Sequence, residues 1–249
     1  MIYIVGLGPG GEDEITPRAM RALERSDVII GYESYVGLLA PIFGHKTLLP
    51  FAMKQEVDRC GQAAELARYK TVALVSSGDA GVYGMAGLML EVLDARHENV
   101  EVEVVPGVTA ACSAAAVLGA PLAHDFAVVS LSDLLTPWSA IEKRLTLATE
   151  ADFILCLYNP ASRSRSHHLR QACEAIMKGR DGGTPSGWVR NIGRERQTHK
   201  ILTLSELREE KLDMLCTVIV GNSETKILGR RMVAPWVYNI EGDKRHEGS

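Results

Sequence analysis

Two glycine-bearing turns, each directly after a strand-forming run, constrain this chain more than any other feature. Gly6-Leu7-Gly8-Pro9-Gly10-Gly11 follows the apolar run Ile2–Val5, and Ser77-Gly78-Asp79-Ala80-Gly81-Val82-Tyr83-Gly84 follows Val72–Ser76. Further strand-like runs fall at Val28–Ile30, Thr47–Leu49 and Val102–Val105, with helical patterns at Pro17–Arg25, Gln55–Arg68 and Tyr83–Ala95 between them. Strands separated by helices of this length imply parallel βαβ units. Such a sheet presents ligand-binding loops at the carboxyl ends of its strands, where glycine lets backbone approach a ligand with no Cβ in the way. A third strand-end turn, Pro106-Gly107-Val108-Thr109-Ala110, leads into a small-residue helix over Ala110–Leu118.

The first loop formally satisfies the dinucleotide fingerprint through Gly6, Gly8 and Gly11. In that fingerprint a helix opens within the glycine motif and its amides hold a pyrophosphate. Here the helix signal is Thr16-Pro17, a capping residue followed by proline at the first helical position. Glu12-Asp13-Glu14 intervenes, a poor neighbour for a diphosphate. An NAD-dependent oxidoreductase would need a helix opening at Gly10–Gly11 and a ribose contact from Glu33.

Gly119-Ala120-Pro121 ends the small-residue helix and is the expected boundary between an N-terminal α/β domain with a parallel sheet, 1–120, and a C-terminal α/β domain, 121–241. The second begins with the strand Phe126–Leu131; Thr136-Pro137 repeats the cap-plus-proline start of a helix reaching about Thr149. A strand over Phe153–Leu157, a helix from about Ser164 to Met177 and strands at Gly187–Arg190, His199–Thr203 and Thr217–Val220 follow. Helices thin out late in the chain, which predicts a mixed sheet with antiparallel edges. Residues 242–249 are charged and unpatterned and read as a disordered tail.

The 249 residues are 46% hydrophobic and 23% charged with a net charge of −4, the balance of an ordinary enzyme rather than a nucleic-acid binder. No apolar stretch reaches membrane-spanning length, and the chain opens on a strand with no basic-then-apolar leader, which predicts a cytoplasmic location. Five cysteines, with no C-x-x-C pair, suggest mostly buried thiols and neither a disulfide framework nor a metal site.

Gly-Leu-Gly-Pro-Gly at 6–10, Ser-Gly-Asp-Ala at 77–80 and Pro-Gly-Val-Thr-Ala-Ala at 106–111 together resemble the tetrapyrrole (precorrin) methylases. Within that family, His124-Asp125-Phe126, the segment Ser130–Trp138, Leu157–Arg163 and Val189–Arg194 are similar to the C-17-methylating, ring-contracting branch of cobalamin biosynthesis. The resemblance implies two α/β domains with an interdomain cleft, and S-adenosylmethionine as methyl donor. It places the donor against Gly8, Pro9, Gly78, Asp79, Ala80, Val82, Thr109, Ala110, Tyr158 and Asn191, with Gly10 facing the macrocycle. The implied substrate is metal-free precorrin-3B, with the cobalt-containing counterpart of the anaerobic route as alternative; the lack of a cysteine-rich extension leans towards the former. A homodimer with no nucleic-acid or membrane partner is likewise implied. A non-catalytic tetrapyrrole carrier would not need the donor-site turns.

Methyl transfer from a sulfonium is an in-line displacement that alignment alone can accelerate. Ring contraction, implied by the resemblance, also needs a base for a tertiary hydroxyl proton. The candidates are His124, Asp125 and Asp133. Two of them also have a plain structural reading, His124 as a hinge residue and Asp133 as part of the loop before Thr136. Substrate carboxylates call for a cationic rim. Arg163, Arg165 and Arg170 with His167 and His168 form one basic cluster, and Arg190, Arg194 and Arg196 another. Arg163 and Arg190 adjoin motif loops and are the expected substrate contacts, whereas Arg165 and Arg170 suit a solvated helix face.

Overall fold

The computed structural model describes residues 1–162 and 165–236. The expected tail from Gly242 onward and the candidate Arg163 lie outside these described residues. The chain divides into two compact units, Met1–Ser113 with Arg190–Thr198, and Ala114–Val189 with the residues from His199 onward.

Five parallel strands build the first unit: β1 (Ile2–Gly6), β2 (Val28–Tyr32), β3 (Thr47–Phe51), β4 (Val72–Ser76) and β5 (Val102–Val105), in spatial order β3-β2-β4-β1-β5. β1 and β4 are buried along their whole length, whereas the edge strand β3 is partly exposed. Full burial follows from helices covering both faces, so these strands read as continuous apolar runs. Side chains still alternate. Ile2, Ile4, Ile30 and Leu74 pack on one face with Cys60, Ala63 and Met89. Tyr3, Val5, Ile29 and Ala73 pack on the other with Leu23, Leu39 and Phe43.

The covering helices are α1 (Pro17–Arg25), α2 (Glu33–Phe43), α3 (Glu56–Ala67) and α4 (Ala86–Ala95), and α5 (Ala110–Leu118) follows β5. Thr16 caps α1, its hydroxyl accepting from the Ala19 amide at 3.1 Å, and Pro17 stands where a free N–H has no helical partner. A short 3-10 turn over Glu12–Glu14 separates the first glycine loop from that helix. Helix α2 is absent from the sequence expectation, and it contains Gly37 and Pro41, both poor helix formers. Burial of Val36, Leu39 and Phe43 on the sheet overrides that propensity. Helix α4 starts three residues later than expected because Tyr83 is left-handed, at φ 53°.

In the second unit β6 (Gly119–Ala120), β7 (Phe126–Ser130), β8 (Ile154–Tyr158), β9 (Pro185–Arg190), β10 (Thr198–Thr203) and β11 (Cys216–Val220) accompany α6 (Trp138–Glu150), α7 (His168–Met177) and α8 (Leu204–Leu207). The main sheet runs β10-β9-β11-β8-β7, with β7 and β8 parallel. The antiparallel pairing of β11 with β8 lies inside the sheet rather than at an edge as expected. β11 is fully buried there, and its apolar run Thr217–Val220 suits a central strand. Thr136 does not cap α6. Pro137 holds that position in an extended conformation with no side-chain cap. Two strands outside the sequence expectation, β12 (Lys226–Leu228) and β13 (Arg231–Val233), form an antiparallel pair, and β13 continues parallel onto β6.

The guanidinium of Arg180 organises the second unit's core. It donates to the carbonyls of Phe153, Gly221 and Thr149 and to Asp152 Oδ1 at 3.1 Å. Burial lowers its proton affinity and Asp152 partly restores it.

Candidate active site

Three loops leave the carboxyl ends of β1, β4 and β5, and glycines let them interlock. Gly8 and Gly78 form a two-residue antiparallel bridge, Gly8 N–H to Gly78 O at 3.0 Å and Gly78 N–H to Gly8 O at 2.7 Å. Both are left-handed, at φ 76° and 67°, a conformation glycine adopts without cost. A Cβ on Gly6 would lie 2.6 Å from the Gly107 amide nitrogen and 2.7 Å from the Gly78 carbonyl oxygen. One on Gly107 would lie 2.2 Å from that same oxygen. Only hydrogen fits at either position.

Asp79 fastens the second loop to the third. Its Oδ1 accepts from the amides of Gly81 (2.7 Å) and Val82 (3.1 Å), and its Oδ2 accepts from Gly107 N–H at 3.0 Å. Ala80 is fully buried and its carbonyl accepts from Ala86 at the start of α4. The Thr109 carbonyl accepts from Cys112 and Ser113 in the first turn of α5, beside Ala110. Thus Gly8, Gly78, Asp79, Ala80, Val82, Thr109 and Ala110 belong to one group of strand-end loops, with Pro9 and Gly10 buried beside Gly8.

Asn191 enters this unit from the far end of the sequence. It is left-handed at φ 52°, its amide donates to Arg196 O at 3.3 Å, and its carbonyl accepts from Arg194 N–H. The turn it opens abuts the first loop, where a Cβ on Gly10 would lie 2.4 Å from Gly193 Cα. Tyr35, which sequence reasoning passed over, lines a pocket of about 40 Å³ with Gly8, Gly10 and Ser77, room for water rather than a nucleoside. Burial raises its phenol's pKa and the nearby Arg194 partly opposes the shift. The only sequence signal for Tyr35 is its place just after a strand end.

In the second unit, candidate residues gather where β7 and β8 end. The Tyr158 carbonyl accepts from Leu131 N–H at 2.9 Å, and Asn159, left-handed at φ 52°, donates to Ser130 Oγ at 3.0 Å. Asp133 follows in the loop. Its Oδ2 lies 3.5 Å from His168 Nε2 and its Oδ1 3.9 Å from Arg165 Nε. His168 was expected on a cationic rim, but it is 3% exposed at the start of α7. Its Nδ1 is 2.9 Å from the Leu131 carbonyl and its ring stacks on Trp138 at 4.8 Å. Arg165, expected on a solvated face, is also mostly buried, with Nε donating to Ser162 Oγ at 3.1 Å. Arg170 is exposed and pairs with Glu209.

The other candidates have different surroundings. His124 Nε2 is 2.9 Å from Pro235 O, and its ring lies against Trp236 in a tilted contact, centroids 4.1 Å apart. Asp125 is exposed just before β7, its carbonyl accepting from Ile154 N–H. Arg190 is exposed at the end of β9.

The helix after the first loop opens at Pro17, not at Gly10–Gly11, and Glu33 begins α2. That removes the dinucleotide geometry. Loops locked by glycine at parallel strand ends, with titratable side chains at the strand ends of a second sheet, define an α/β enzyme acting on small molecules. The chain belongs to the Tetrapyrrole (Corrin/Porphyrin) Methylases, whose family profile matches residues 1–208. It is 44% identical over 241 residues to a probable cobalt-factor III C(17)-methyltransferase of Salmonella typhimurium, covering 96% of this chain and 100% of that one. The structure of the methyltransferase CobJ superposes with a TM-score of 0.87 at 38% identity, over 94% of this chain and 99% of that chain. A uroporphyrin-III C-methyltransferase of Thermus thermophilus complexed with S-adenosylhomocysteine superposes at 0.70, with 26% identity over 88% and 96% of the two chains.

Proposed function

We propose that this protein transfers a methyl group from S-adenosylmethionine to C-17 of a corrin precursor and contracts the macrocycle. The observation that carries this reading is the 44% identity, over the full length of the relative, to a protein named as a cobalt-factor III C(17)-methyltransferase. The relative's name favours the cobalt-containing substrate over precorrin-3B, which the sequence alone put first. Precorrin-3B stays as the alternative, and the reaction class is the same. Cobalt in this reading is part of the substrate.

The donor supplies an electrophilic methyl group; the protein's task is alignment and exclusion of water. The reading that these loops take such a donor is supported by Gly78, whose Cβ position is open to 3.8 Å, beside buried Ala80 and Pro9. Thr109, Ala110, Asn191 and Tyr158 keep the donor contacts that family resemblance gives them, and Gly10 its place towards the macrocycle. Arg190 is proposed to bind a substrate carboxylate, with Arg163 in the same role.

Among His124, Asp125 and Asp133, the reading favours Asp133 for proton transfer. It has basic neighbours and a half-exposed carboxylate, whereas the His124 ring nitrogen already meets a carbonyl. A homodimer in the cytoplasm, without nucleic-acid or membrane partners, completes the proposal. Among the described residues no helix is long and apolar enough to cross a membrane.

The test is incubation of the purified protein with methyl-labelled donor and either cobalt-factor III or precorrin-3B, followed by mass spectrometry. A contracted product carrying one added label supports the reading, and its substrate decides between the routes. No labelled macrocycle from either substrate removes it.

A further inference from the structure

We propose that Asp133 and His168 form a proton-accepting pair that serves ring contraction and not methyl transfer, with Arg165 as its electrostatic support. The proposal rests on the function argued above.

The hydrogen-bond roles follow from chemistry. A carbonyl oxygen only accepts, so the 2.9 Å contact with Leu131 O puts a proton on His168 Nδ1. In the neutral ring Nε2 is then a lone-pair acceptor, and it faces Asp133 Oδ2 at 3.5 Å. A charge-assisted hydrogen bond between these atoms would be about 2.7–2.9 Å. The observed spacing is longer than that and within ion-pair range. One incoming proton converts the contact into a charge-assisted bond, so the pair is built to take up a proton.

The surroundings fix the geometry of the pair. Trp138 stacks on one side of the imidazole and the His167 ring meets it edge-on at 4.8 Å, which fixes its plane. Among the described residues, the charged or titratable groups that meet the pair are Arg165 and His167. Arg165 Nε lies 3.9 Å from Asp133 Oδ1, and its Nη1 is buried with no hydrogen-bond partner among the described residues. A guanidinium so placed attracts the Asp133 carboxylate and helps to hold it beside His168.

Exposure divides the labour. Side-chain exposure is 37% for Asp133 but 4% for His168 and 11% for Arg165. Asp133 is the group a substrate can reach, and His168 acts through it as a positioning residue. With precorrin-3B, the substrate whose contraction starts from a hydroxyl, the proton leaves that hydroxyl and the O–H electron pair stays on the oxygen. The proton comes to rest between Asp133 Oδ2 and His168 Nε2 and returns to solvent through Asp133. No oxidant or reductant is needed.

The experiment follows both products in single turnovers of wild type, Asp133→Asn, His168→Gln and the double variant. Methyl-labelled donor and mass spectrometry separate methylated uncontracted macrocycle from contracted product. Expected are methyl transfer within about threefold of wild type in every variant and contraction slowed about 10²–10⁴-fold in Asp133→Asn. His168→Gln should slow contraction at least tenfold and change its pH profile, which a packing role would leave in shape. The double variant should be no slower than Asp133→Asn. Contraction by His168→Gln at the wild-type rate and pH profile overturns the pair, as does equal loss of methylation and contraction in Asp133→Asn that still binds S-adenosylhomocysteine. Asp133→Asn, at a half-exposed site, keeps the test open if His168→Gln fails to fold. Wild type that methylates neither macrocycle overturns the functional reading along with the pair, whereas variants that contract normally beside an active wild type overturn the pair alone.

Discussion

Gly8 and Gly78 exchange both backbone hydrogen bonds across two loops that are 70 residues apart in sequence, at 3.0 and 2.7 Å. The bridge fixes where the first strand-end turn meets the second. It also separates two kinds of glycine requirement, because both residues are left-handed but only one is crowded.

Gly8→Ala should therefore cost more than Gly78→Ala. At Gly8 a Cβ would lie 2.4 Å from the Glu14 carbonyl oxygen, whereas at Gly78 the nearest atom is 3.8 Å away. Gly78→Ala carries only the left-handed penalty of about 1–2 kcal/mol. Gly8→Ala adds overpacking of about 1–3 kcal/mol. Urea unfolding of the two variants should show that order, and equal losses would mean that the Gly8 turn relaxes freely.

Asp79→Asn should weaken donor binding by shifting the third loop. The carboxylate holds three backbone amides, and an asparagine nitrogen facing Gly107 N–H would set donor against donor. An unsatisfied buried group costs about 1–3 kcal/mol. Calorimetry with S-adenosylhomocysteine should show at least a tenfold drop in affinity; an unchanged value would separate the Asp79 turn from the donor site.

His124→Ala should leave the ratio of contracted to methylated product at the wild-type value. The ring lies tilted against Trp236 and meets Pro235 O, so the expected loss is about 0.5–1.5 kcal/mol of stability, from one hydrogen bond. Accumulation of methylated, uncontracted macrocycle would instead restore His124 as the base.

Arg190→Ala should weaken macrocycle binding by about 1.5–3 kcal/mol, the worth of a hydrogen bond to a charged group. Donor affinity should hold. Lysine should rescue only part of the loss, because it lacks the planar fork. Equal weakening of both ligands would mark Arg190 as a folding residue.

Stability should fall at alkaline pH through two buried thiols. Burial pushes Cys60 up to about 11 and Cys173 up to about 12, from an ordinary value of 9.0. Below about pH 9 both are neutral in either state and their contribution is intact. Above it the unfolded chain ionises first, so stability declines until the folded thiols titrate near 11 and 12. Urea midpoints at pH 8 and pH 10.5 should show the fall, and Cys60→Ser with Cys173→Ser should flatten it. In the native protein at neutral pH, Ellman's reagent should modify exposed Cys112 well before these two.

The glycine loops and the strands before them were legible because their signals are local: an apolar run, then residues able to turn. The cap at Thr16 was equally plain. Helix α2 was not, since Gly37 and Pro41 argue against a helix and only the sheet beneath Val36, Leu39 and Phe43 makes one. His168 shows the same limit at the candidate site. Arg165, His167 and Arg170 around it make a charged run that reads as surface. Its burial comes from Trp138 and Leu131, thirty and more residues earlier, and no local pattern carries that information. The interior antiparallel strand was missed for a related reason: pairing order depends on which partner is left free, not on the strand's own residues.

That strand, β11, has a consequence for how the protein is made. It sits between β8 and β9 although both precede it in the sequence. A ribosome that has released residues up to about 210 has delivered both neighbours but not the strand that joins them, and each then presents a bare edge able to pair with another chain. The first unit's sheet differs, because its inner strands β1, β2 and β4 are complete by Ser76. Nascent chains stalled before Cys216 should accordingly be the aggregation-prone ones, and release of five more residues, Cys216–Val220, should close the gap.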